Sequence, residues 1–232
     1  DMFGKLLAFG LLSAMASATT FALNAYIDAG HSDYALPAGH TAYVVSGCNM
    51  GRLILNSCPA GATIDISAST FTTTTSPIHW TTLTNNALTV TGCTLVSTGE
   101  YSLRIATIDG GSSVALIDCD TTGFGRGIYI TTMAIGSSLA IIGGASRTTS
   151  NQAISILDIF GARISITNHR AEQQIRLGNN AGAFTDCVVT SHANDAIDFV
   201  CPMTGSGVTI TNMRATGPRV VHFQWPFVSS PV

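Results

Sequence analysis

Few residues in this chain can do chemistry, because only 10% of its 232 residues are charged, against about a quarter in an ordinary domain. Two groups stand out. The first is LIDCDTTGFGRGIYI, residues 116–130, where Asp118 and Asp120 flank Cys119 and Arg126 follows. Two carboxylates around a thiol suggest a metal site or an acid pair. The second group is Asp195, Asp198 and His222. A glycosidase needs two carboxyls about 5–5.5 Å or about 6.5–9.5 Å apart. Asp195 and Asp198 can meet such a spacing, with Glu172 as a third candidate. A polysaccharide lyase needs a base for the proton alpha to a uronate carboxylate, and His222 beside Asp198 is the candidate.

Whether these groups meet depends on the elements that carry them. From residue 88 onward the chain can be laid over itself. The segments LTVTGCTLVSTGEYSLRI, VALIDCDTTGFGRGIYI, LAIIGGASRTTSNQAISI, ISITNHRAEQQIRL, GAFTDCVVTSHANDAIDF and VTITNMRATGPRVVHF begin at 88, 114, 139, 164, 182 and 208. Each reads as an alternating strand, a short polar turn, a variable loop and a second short strand. Cys93, Cys119, Gly144, His169, Cys187 and Met213 fall in register at steps of 26, 25, 25, 18 and 26 residues. A period of that size built from short strands and Gly/Asn turns predicts an all-β solenoid with parallel strands. Earlier, less regular rungs are expected at ATIDISASTF (62) and HWTTLT (79), with YVVSGCNMGRLILNSC (43) either another rung or an N-terminal cap.

Period-two alternation then sorts the residues. In the first strand Leu88/Val90, Val114/Leu116, Leu139/Ile141, Ile164/Ile166, Phe184 and Val208/Ile210 point inward. The outward set, Thr89/Thr91, Ala115/Ile117, Ala140/Ile142, Ser165/Thr167, Ala183/Thr185 and Thr209/Thr211, carries no charge and suits burial against another subunit. The turn column is Gly92, Asp118, Gly143, Asn168, Asp186 and Asn212, the residue types that tolerate a left-handed corner. Asp118 and Asp186 are therefore expected as turn formers rather than acids. Asp120 has only Thr94 and Ala145 beside it, so the apparent acid pair dissolves. Cys93, Cys119 and Cys187 read as inward structural thiols, and His169 as a hydrogen-bonded core histidine.

The second strand is anchored by Leu103, Ile128, Ile154, Ile175, Ile197 and Val221. Beside each anchor stands Arg104, Tyr129, Ser155, Arg176, Asp198 or His222. Two residues before it stands Tyr101, Arg126, Gln152, Gln173, Asp195 or Arg219. In so uncharged a chain this concentration predicts a polar groove. Its ligand-binding residues are Arg104, Arg126, Tyr129, Gln152, Gln173, Arg176, Asp195, Asp198, Arg219 and His222, set to bond sugar hydroxyls and carboxylates on successive rungs. The competing readings are a solvated face of cross-rung ion pairs and a catalytic site built on Asp195, Asp198 and His222.

The rung pattern over about residues 60–225 resembles the right-handed parallel β-helix family, which includes pectate-lyase-like enzymes and phage tailspikes or tail fibres. The resemblance rests on the rungs. It implies a right-handed solenoid of six to eight rungs. It also implies a homotrimer of parallel helices, a place on a virion or cell surface among other fibre proteins, and a surface polysaccharide as ligand. The alternatives it leaves are a polysaccharide lyase or glycoside hydrolase on the same fold, and a secreted bacterial β-helix protein. The calcium–aspartate cluster of pectate lyases has no counterpart in this sequence, no CxxC pair occurs, and no metal or cofactor is expected. Nucleic acid is not an expected partner, since net charge is −3 and the only lysine is Lys5. Residues 1–25 are expected as an apolar helix for anchoring or oligomerisation, with an uncleaved signal or membrane anchor as the alternative. Residues 26–61 would form a cap with irregular strands, 62–225 the β-helix, and 226–232 a tail. Trp225 and Phe227 would cover the last rung.

Overall fold

A computed structural model describes residues 20–23, 34–35, 39–55, 58–178, 182–185, 188–190, 196–199, 209–211 and 214–223. Every pairing among the described strands is parallel, and each strand pairs with its equivalent one repeat away. The chain is a parallel β-solenoid. Ala42–Ser46, Thr63–Ser67, Ala87–Thr91, Ser113–Ile117, Ser138–Ile142 and Arg163–Thr167 open six successive turns and form the first face. Gly182–Thr185 and Thr209–Thr211 continue it at one end and Thr20–Leu23 at the other. Of the segment expected as a helix over residues 1–25, the described part, Thr20–Leu23, is thus a strand paired with Ala42–Val45. Thr and Phe there favour extended backbone. The rest of that segment, and Trp225 and Phe227, lie outside the described residues.

Each turn has three faces, where the sequence suggested two. What reads as a short turn after the first strand continues into a second one: Thr70–Thr73, Thr94–Ser97 and Asp120–Gly123. These strands are only four residues long, and their inward positions drift from Phe71 and Leu95 to Thr121, Ser146 and Ala171, all buried. So short a strand with small polar inward residues leaves no apolar alternation to read. The third face holds Ile78–Leu83, Tyr101–Ile108 and Arg126–Met133. In the next turn the second and third strands fuse into one, Ala145–Ile159, which runs through the corner, and Arg170–Leu177 does the same.

The inward columns stack as expected. Leu88, Val114, Leu139 and Ile164 on the first face, and Leu103, Ile128, Ile154 and Ile175 on the third, are all buried. The segments 42–54 and 63–83 are in the same register, with Val45 beside Ile66 and Ile66 beside Val90. Tyr43 and Trp80, both fully buried, are the largest side chains in the core of the early turns.

The first corner demands left-handed backbone, and its residues show why Gly, Asp and Asn recur there. Gly92 (φ 58°), Asp118 (φ 50°), Gly143 (φ 65°) and Asn168 (φ 51°) occupy one column. Ala68 (φ 46°) shares it, at a cost of about 1–2 kcal/mol that an alanine accepts only under tertiary constraint. Inside the corner stand Cys48, Cys93, Cys119 and His169, all buried. The Cys119 thiol donates to the Val90 carbonyl at 3.2 Å and Cys93 to that of Thr91 at 3.4 Å. The adjacent Cys119 thiol, and then burial, hold Cys93 well above the ordinary thiol range. Cys48, Cys58, Cys93 and Cys119 are free thiols. Cys187, Cys201, Asp186 and Met213 lie outside the described residues.

Candidate functional site

The columns predicted on the third face are real neighbours. Arg104, Tyr129, Ser155 and Arg176 pair rung to rung, and Arg176 pairs on to Asp198 and Asp198 to His222. All point away from the core, because the residues flanking them, such as Leu103/Ile105 and Ile128/Ile130, are the buried anchors. The second column runs Tyr101, Arg126, Gln152 and then Gln174, not Gln173. A bulge between residues 147 and 154 shifts the register there, and Gln173 takes a φ of 106°. Gln152 and Ile154 pair with Gln174 and Ile175, so one extra residue, Ala153, stands inside the fused strand, where counting two back from each anchor does not see it. Asp195 lies outside the described residues. Arg219 is exposed in the last described turn.

Aromatic rings and guanidinium groups meet in the middle of the face. The Tyr101 and Tyr129 rings lie 4.6 Å apart, tilted by 31°. The Arg126 guanidinium sits 4.5 Å over the Tyr129 ring and 5.7 Å from that of Tyr101, and Arg104 approaches Tyr101 at 5.9 Å. Arg126 Nε donates to Gln152 Oε1 at 2.8 Å, which fixes the amide with its oxygen toward the arginine. Cation–π contact couples the guanidinium groups of Arg104 and Arg126 to the two rings.

Toward the N-terminal side the face continues through residues that sequence reasoning missed. Arg52 Nη2 donates to His79 Nδ1 at 2.8 Å, so the imidazole proton sits on Nε2. Burial, then the Arg104 and Arg52 charges, lower the His79 pKa from its usual value against an opposing pull from Glu100. Arg52 and His79 were legible only as members of irregular early rungs, since the repeat was aligned from residue 88.

At the other end, Asp198 is buried. Its Oδ1 lies 3.1 Å from His222 Nδ1 and its Oδ2 3.8 Å from Arg176 Nε. An aspartate in that position orients the imidazole ring. Glu172 is engaged elsewhere: Arg147 Nε at 3.1 Å and Arg170 Nε at 3.3 Å both reach its Oε1 on the second face. His169, beside the corner, is 3% exposed, with Nδ1 2.7 Å from the Gly143 carbonyl and Nε2 3.0 Å from Ser146 Oγ. It is a core histidine. Burial lowers its pKa against the Gly143 carbonyl and Asp120. Asp118 is a corner residue and Asp120 pairs between Thr94 and Ala145, so neither belongs to an acid pair.

The geometry thus defines a parallel β-solenoid with one cationic, tyrosine-bearing face. No family model, curated protein or solved structure matches the chain. Among the described residues no helix is long and apolar enough to cross a membrane.

Proposed function

We propose that this chain is a fibre or spike module of a virion or cell surface, associating as a parallel homotrimer through its first face and holding a surface polysaccharide along its third. The observation that carries the reading is the Tyr101–Tyr129 pair with Arg104 and Arg126 laid against it. Sugar rings offer flat C–H faces that pack on aromatic rings, and hydroxyls that bond the guanidinium edges. Rungs repeat at about 4.8 Å, so an extended chain meets the same columns again at each step. Binding of the full chain to a panel of capsular and O-antigen glycans tests it. A bound glycan should lose affinity roughly tenfold in Tyr129→Ala. A panel with no binder, or a bound glycan indifferent to Tyr129, argues against the groove.

A second reading is favoured by one contact. The Asp198–His222 pair at 3.1 Å, with Arg176 on the other carboxylate oxygen, has the form of a base held by an acid. His222 would take the proton alpha to a uronate carboxylate, as a polysaccharide lyase requires. For a hydrolase the second carboxylate would be Asp195. Release of unsaturated oligosaccharides by the wild type, abolished in Asp198→Asn, would establish the lyase; their absence across the panel leaves the pair a structural one.

A further inference from the structure

The third face carries unpaired donors. Among the described residues on or against this face, four buried side-chain atoms lack a hydrogen-bond partner, one each on Arg52, Arg104, Ser155 and Arg176. Three are guanidinium Nε–H groups, which only donate, and the fourth is a hydroxyl. Buried polar groups are nearly always satisfied, so a cluster of exceptions on one face calls for an explanation. A shortage of acceptors on one side is met by a ligand rich in them.

Ser155 is the centre of this shortage. It is the smallest residue of its column, set between Tyr129 and Arg176, and it is fully buried although it faces outward. Arg176 borders it with an Nε that makes no hydrogen bond and has one carboxylate 3.8 Å away. That loose pairing leaves the side chain, one-third exposed, able to swing aside. The strained Gln173 (φ 106°) lies in the strand that carries Arg176. Such bulges re-aim side chains beside functional sites. From the Arg104 rung to the Arg176 rung the columns of Arg104 and Tyr101 contain no acid, and the acid of the Ser155 strand, Asp158, stands three residues further along.

We infer that Ser155 and Arg176 form the seat for one oxyanion of the bound chain, a carboxylate, sulfate or phosphate. The inference rests on the polysaccharide reading above and narrows it to acidic glycans. The hydroxyl and the guanidinium edge would each donate to an oxyanion oxygen, and Tyr129 would carry the adjoining ring. The distance from Arg104 to Arg176, three rungs or about 14 Å, accommodates a further charge at Arg104.

Dextran, carboxymethyl dextran and dextran sulfate share one backbone and differ in charge, so they are suitable probes for the full chain at fixed ionic strength. Inorganic sulfate is the fourth. The anionic dextrans should bind at least about tenfold more tightly than dextran. Ser155→Ala should erase that preference without lowering the thermal midpoint, because it deletes an unpaired buried hydroxyl. Arg176→Lys, which keeps the charge and loses the planar fork, should weaken the preference several-fold and serves if the serine variant fails to fold. Tighter binding of either anionic form that is lost in Ser155→Ala upholds the seat and identifies its anion. Equal binding of all three dextrans overturns the seat and leaves polysaccharide binding standing. A Ser155→Ala chain that retains the full preference overturns it as well. Sulfate binding lost in Ser155→Ala, with no polysaccharide held, upholds the seat and removes the polysaccharide reading. No response to any probe overturns the seat.

Discussion

The first and third faces share the same rungs, yet their outer surfaces differ sharply in charge. Inside, both are ladders of Leu, Ile and Val, almost wholly shielded from solvent. Outside, the first face from Thr89 to Thr167 is Thr, Ala, Ser and Ile, with Arg163 at its margin and Ile142 41% exposed. The third face carries Arg104, Arg126 and Arg176 around two tyrosines. The difference teaches that a solenoid separates folding from function by parity. Alternate residues of one strand answer to different demands, and the outward set is free to vary because each rung is already held by its inward set and its corners.

The comparison can be tested from the inside out. Ile141→Ala on the first face and Ile154→Ala on the third should each cost about 2–5 kcal/mol in chemical denaturation, since each leaves a cavity in the same core. A large difference between them would mean that the faces do not share one core. If the proposed trimer forms through the first face, Ile142→Arg on its outer side should raise the trimer's dissociation constant by at least about tenfold, as read by analytical ultracentrifugation, and leave the proposed glycan binding by the third face intact. A wild-type chain that sediments as a monomer would remove the assigned role of that face. The smallest effect belongs to the corner between faces. The folded pKa of His169 lies below its unfolded value of about 6.5, so the unfolded chain binds the proton first. The stabilisation is complete above that pH and lost as pH falls through the folded value. Thermal midpoints should therefore drop on acidification below about pH 6.5. His169→Gln should flatten part of the drop, with His79, also lowered, supplying the rest.

Much of this was legible in the sequence because alternation and corner chemistry are local. Gly92, Asp118, Gly143 and Asn168 announced a left-handed corner by residue type alone, and all four have positive φ. That one column fixed the register of both flanking strands, which is why Arg104, Tyr129, Ser155 and Arg176 fell together. Ala68 gave no such signal, so the early turns looked irregular. Gln174 displaced Gln173 because the register shift between Gln152 and Ile154 carries no residue-type signal. The burial of Ser155 was hidden too, since an outward serine between Tyr129 and Arg176 reads as exposed by alternation alone.

The exact stacking of rungs has one more consequence. Ser113 sits beside Ser138, and the turns before them are built alike, with Ser112 N–H reaching Asp109 O and Ser137 N–H reaching Ala134 O. Excising residues 113–137 would bring Ser138 to the place Ser113 holds, with no change of register. The molecule is in that sense a ruler, graduated in steps of about 4.8 Å, whose length is reset by adding or deleting whole graduations. A shortened chain that still shows a β-rich circular dichroism spectrum and cooperative melting would demonstrate it, one graduation shorter than the parent.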